Sequence, residues 1–111
     1  MKTINLKISL DGLNFNDEDS KKSSVEMCTI VIKNIMLGWA NQQQKGMPEE
    51  DRRKYYKITD IFDKAVKENL ETVELEDDWM GFIRKCKREV GLMPNELLRR
   101  VEEKIDEVKD R

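Results

Sequence analysis

A chain of 111 residues is long enough to bury roughly two thirds of its unfolded surface without a metal or disulfide staple, so one domain over residues 1–111 is expected. Charged residues make up 40% and hydrophobic ones 38%, and the signs nearly cancel to a net −2, which excludes a disordered polyelectrolyte and argues against general affinity for nucleic acid or anionic lipid. Histidine is absent, which removes the commonest general base at neutral pH and the commonest zinc ligand.

Residues 2–10 alternate, with Ile4, Leu6, Ile8 and Leu10 on one side and Thr3, Asn5, Lys7 and Ser9 on the other, which predicts a half-buried strand. Asp11-Gly12 followed by Leu13 and Phe15 predicts a tight hairpin with a short return strand. Asn16 to Ser24 is polar and predicts a surface loop.

Ser23-x-x-Glu26 has the form of a capping box and predicts the start of a helix running to Asn41. Cys28, Val31, Ile32, Ile35 and Trp39 form its main apolar stripe, while Met27, Ile30 and Leu37 fall on another face. A helix apolar on two sides is either enclosed within the domain or shares one side with a partner. On the second alternative Met27, Ile30, Leu37 and Trp39 are the candidate interface. The β-branched run Thr29 to Ile32 would also suit a buried strand, but the cap, the length and Met36-Leu37 decide for helix.

The chain then frays through the glutamines and stops at Gly46. Pro48 opens a second helix, with Glu49, Glu50 and Asp51 in its first turn, an apolar face of Tyr55, Ile58, Phe62, Ala65 and Val66, and an end near Asn69. Thr72 to Glu76 alternates and predicts a short third strand pairing with the hairpin. Asp77 or Asp78 caps a third helix carrying Trp79, Phe82, Ile83, Cys86 and Val90, closed by Gly91. Pro94 begins a fourth, striped by Leu97 or Leu98, Val101, Ile105 and Val108, whose tail from Lys109 to Arg111 frays.

The residues permit little catalytic chemistry. Cys28 and Cys86 sit on apolar stripes and read as reduced core thiols, with a disulfide or a reactive thiol as the lesser alternative. The acidic groups Glu74, Glu76, Asp77 and Asp78, and Asp17 to Asp19, lack the spacing of a calcium loop and read as a strand edge with a helix cap and a solvated loop. No phosphate loop or nucleophile elbow occurs, so no cofactor and no enzyme activity are expected. Arg52, Arg53, Lys54 and Lys57, with Tyr56 or Tyr55 to stack on a base, form a candidate nucleic-acid contact if cations of the third and fourth helices join them. Interleaved acids favour a solvated helix face instead. The Met1 start without a signal-peptide core, and the lack of any membrane-length apolar run, predict a cytoplasmic protein.

Four segments taken together, Leu10-Asp-Gly-Leu-Asn-Phe15, Arg52 to Val66, Val73 to Lys85 and Pro94 to Asp106, give a layout that resembles a class of small phage and prophage proteins of about this length, largely without assigned function. The resemblance implies an origin rather than a mechanism, and residues 16 to 46 depart from it. The expected architecture is therefore α+β: an N-terminal β-hairpin and a short third strand packed with four α-helices. The expected function is non-catalytic, through binding another protein or a second copy of itself, with nucleic-acid binding as the alternative.

Overall fold

The α+β architecture is present in the computed structural model, which describes residues 1–109. In chain order it contains β1 (Lys2–Asn5), a single 3₁₀ turn (Asp19–Lys21), α1 (Ser24–Asn41), α2 (Glu49–Glu68), β2 (Thr72–Leu75), α3 (Asp77–Glu89) and α4 (Glu96–Asp106). Of the fraying tail expected beyond Lys109, positions 110 and 111 lie outside the described residues.

The helix starts follow from local chemistry. Ser23 caps α1, its hydroxyl oxygen accepting from the Glu26 N–H at 3.1 Å. Asn95 does the same for α4, accepting from the Leu98 N–H at 2.8 Å. Pro94 therefore stands just before the cap rather than opening the helix. At α3 the capping position is Glu76, and Asp77 and Asp78 occupy the first turn, where the helix dipole favours their charge. The left-handed Asn69, φ 54°, ends α2 where the sequence predicts.

The sheet departs from expectation. β1 pairs with β2 antiparallel, Ile4 opposite Val73 and Lys2 opposite Leu75, and these two strands make up the whole sheet among the described residues. The segment at 72–76 is thus the partner of the N-terminal strand, not a third strand beside a hairpin. Gly12, φ 78°, does turn the chain, and the Leu13 N–H reaches the Leu10 carbonyl at 3.2 Å. No strand follows at Leu13 to Phe15. The chain leaves the turn as a loop tied to the C-terminal helix instead: Arg100 of α4 donates to the carbonyls of Ser9 and Asp11, both at 2.8 Å. Leu6 and Ile8 continue the alternation into the core without a ladder on that side.

One continuous buried cluster joins the four helices and both strands, with α1 packed on α2, α3 and α4, β2 on α2 and β1 on α4. Ile32, Ile35, Met36 and Cys28 of α1 are fully or almost fully buried, as are Phe62 and Ile58 of α2 and Ile83 of α3. Full burial of such a side chain stabilises the fold by roughly 1.5–3 kcal/mol. Thr29, the one buried polar residue among the described residues, donates its hydroxyl to the Glu26 carbonyl at 2.8 Å. The stretch Thr29 to Ile32 is helical, so packing on three helices outweighs its strand propensity.

Candidate functional site

With three helices around it, α1 keeps a narrow outward stripe. Asn34, Leu37 and Asn41 are exposed, and the spacing places them on one side of the helix around Gly38. The C-terminal cap Gln42 follows, also exposed. None of the four carries a charge.

Beside this stripe lies the connection from α3 to α4, Val90 to Asn95. Two hydrogen bonds fasten it to α1: the Gln42 amide donates to the Gly91 carbonyl at 2.9 Å, and the Gly91 N–H donates back to the Gln42 side-chain oxygen at 3.0 Å. Gly38 lets it lie close. A Cβ at that position would stand 3.3 Å from the Val90 Cγ2 and 3.7 Å from the Leu92 Cδ2. Gly91, Leu92, Met93, Pro94 and Asn95 are all exposed, Met93 to 84%, and again none is charged.

Between the connection, α1 and the start of α4 the surface dips into a groove of about 280 Å³ lined by Val31, Asn34, Ile35, Leu92, Met93, Asn95, Leu97 and Leu98. Ile35, Leu92 and Leu98 also line a smaller notch of about 120 Å³, which reaches the charged side chains of Lys87 and Glu102. The arrangement offers apolar contact and amide hydrogen bonding. It holds no nucleophile and no group that titrates near neutrality.

Elsewhere the two thiols are held in the core. Burial pushes the thiols of Cys28 and Cys86 up from the ordinary 9.0 to about 12, and both are free, so they behave as small hydrophobes. Among the described residues no three of the metal-binding types come together to hold an ion, and no helix is long and apolar enough to cross a membrane. Asp77 of the acidic run lies 3.5 Å from the N-terminal amine.

The four residues proposed from sequence as an interface do not share a surface. Met27 and Trp39 are core, Trp39 packing edge-on against Phe82 at 5.7 Å between ring centres, with the Lys85 ammonium 4.9 Å from its ring centre. Ile30 is half-buried beside α2, near Lys33 and Asp63. Only Leu37 reaches the uncharged face. The sequence reading takes Leu97 or Leu98 as part of the fourth helix's stripe and gives Leu92 and Met93 no role, although the charge-free run Val90 to Asn95 in so charged a chain is a signal in its own right.

The alternative, basic set lies on α2, exposed except for the half-buried Lys54, but it is largely engaged. Arg53 pairs with Glu49 at 2.8 Å, Lys54 lies 3.9 Å from Glu50, and Arg52 donates to the Met47 carbonyl at 2.9 Å. Tyr56 is 57% exposed and meets Tyr55 edge-on, and Lys57 is exposed. On the other helices Lys87 pairs with Asp106 at 2.9 Å, Arg84 donates to the Val108 carbonyl, and Arg100 is held by Glu96 and the Ser9–Asp11 loop. Comparison with protein-family models, with curated proteins and with solved structures returns no match.

Proposed function

We propose that this protein is non-catalytic, acts in the cytoplasm, and works by binding a protein through the face built from the outward stripe of α1 and the Val90–Asn95 connection. One observation carries the reading: in a chain that is 40% charged, nine exposed residues of this face, Asn34, Leu37, Asn41, Gln42 and Gly91 to Asn95, include no charge. Charge depletion with methionine enrichment is the compositional mark of an interface centre, and exposed apolar side chains beside an apolar groove are costly to leave in water. Amides at the rim supply hydrogen bonds without the desolvation penalty of an ion.

The test is photo-cross-linking in the cells that make the protein, with a photoreactive residue at position 93 or, as control, at position 60 on α2. Protein adducts from position 93 and none from position 60 support the reading; equal yields from both, or none from either, sink it. The layout resemblance to small phage and prophage proteins is a separate proposal about origin, tested by the genes that flank this one. Nucleic-acid binding through Arg52, Arg53, Lys54, Tyr56 and Lys57 would instead give an affinity that falls steeply with salt.

A further inference from the structure

We infer that α4 is a hinged strap, which swings off α1 and β1 as one unit about Leu92 to Asn95 while α1, α2, α3 and the sheet stay folded, and so gates an apolar trough beneath it. The inference goes beyond the binding reading above and does not depend on it.

The way α4 is attached makes it separable. It is the shortest helix, 11 residues against 13, 18 and 20, and a single connection joins it to the rest of the described chain. Its inner face buries Val101, Ile105 and, just past its end, Val108, with no aromatic ring among them. Its polar ties run through charged side chains: Arg100 to the Ser9 and Asp11 carbonyls, Lys87 to Asp106, and Arg84 to the Val108 carbonyl. Water solvates such groups when the helix lifts, so they hold it weakly. An element fixed by few apolar side chains and by partly exposed charges belongs to the low-stability end of a domain and opens before the core does. The hinge is in place as well. Gly91 stays fastened to Gln42 at the end of α1, the helix cap is Asn95, and the residues between are exposed and non-helical.

What the strap covers follows from its direction. Leu97 and Leu98 stand with Val31 and Ile35 around the groove, and from Leu98 to Ile105 the helix advances about 10 Å, as α1 does from Ile35 back to Cys28. Cys28 therefore lies under the far end of α4, and the charge that acts on its thiol is Lys104 of that helix. Cys86 on α3 responds instead to Asp51, Lys85 and Glu89, none of them on α4. The two thiols, both fully buried, thus report separately on the strap and on the remaining core.

Alkylation of the purified full chain with iodoacetamide at pH 8, followed by peptide mass, tests the strap. Cys28 should react at least about tenfold faster than Cys86, because it needs only the local opening. Amide exchange on the same chain should show Val101 and Ile105 opening together, ahead of Phe62 and Ile83. Arg100→Met keeps an apolar stem and removes the fork that grips the 9–11 loop; it should speed Cys28 about fivefold and leave Cys86 unchanged. Lys33→Met, which breaks the pair with Asp63 between α1 and α2, should leave Cys28 at the parent rate. Equal rates for the two thiols, a faster Cys86, α4 amides as protected as those of α2, an Arg100→Met variant that speeds both thiols or neither, or a Lys33→Met variant that matches Arg100→Met would overturn the inference. None of these outcomes bears on the cross-link at position 93, so the strap and the binding face fail separately.

Discussion

The outward sides of α1 and α2 belong to neighbouring helices of similar length and could hardly differ more. Every exposed position of α2 except Tyr56 is charged, and along it Glu49–Arg53, Glu50–Lys54 and Lys64–Glu68 stand one turn apart as ion pairs. Such pairs contribute only about 0.3–0.5 kcal/mol each, so their main effect is to keep that face wet. The exposed positions of α1 bear no charge at all, and the adjoining connection repeats the pattern. A helix face meant for water advertises it in charge. The contrast teaches that burial within one chain and the demand for burial are separate, and that α1 is enclosed on most of its circumference while its remaining stripe still has the composition of a contact.

On their inner sides the two helices should behave alike. Trp39→Ala and Phe62→Ala remove side chains that are 3% and 0% exposed, and each should cost about 3–5 kcal/mol in urea unfolding. A cost below 1 kcal/mol for Trp39→Ala, with loss of the position 93 cross-link instead, would return that residue to the interface and break the comparison. Gly38→Leu acts where the inner and outer sides meet. It would force Val90 and Leu92 off α1, with an expected loss of about 1–3 kcal/mol, and should raise amide exchange at Gly91 because the connection is displaced.

The thiols sharpen the account of the inner side. Their pKa is raised on folding, so a folded thiol keeps its proton at a pH where the unfolded one ionises. The corresponding stability is fully present below about pH 9 and is lost as pH rises toward 12. Between those limits the decline is of the order of 1 kcal/mol per pH unit for each thiol. A Cys28→Ala, Cys86→Ala double variant should lack that part of the slope, and in the parent at pH 8 alkylation of Cys86 should be no faster than unfolding. The smallest effects belong to the surface. Arg53→Ala on α2 and Asn41→Lys on α1 should each change stability by no more than about 0.5 kcal/mol. Only Asn41→Lys should reduce the adducts formed from position 93. If both variants cross-link normally, the two outer faces differ in composition and not in use.

Much of the local structure was legible because its causes are local. Ser23, the helical spacing of Cys28, Ile32, Ile35 and Trp39, and the alternation at Ile4, Leu6, Val73 and Leu75 each act within a few residues, and helices and strands follow at those places. The errors fall where contacts between parts of the chain distant in sequence decide the outcome. Asp11-Gly12 does make its turn, but nothing near it in sequence announces that Arg100 will take the neighbouring carbonyls. Likewise Met27 lies off the stripe of Cys28, Ile32, Ile35 and Trp39, and only packing against three helices at once explains why it is buried as well.

By itself, then, the amino-acid order determined the four helices and the two strands that form, since capping and periodicity are short-range effects. It also determined that the thiols would sit inside and that charge would be missing from Val90 to Asn95. Tertiary structure alone decided what that charge-free run lies against. Gln42 and Gly91 are 49 positions apart, and their paired hydrogen bonds, with the close approach at Gly38, merge two unremarkable neutral segments into one face with a groove. Such a surface depends on where side chains separated in the chain come to rest, which is settled by the packing of α1, α3 and α4 around their common core.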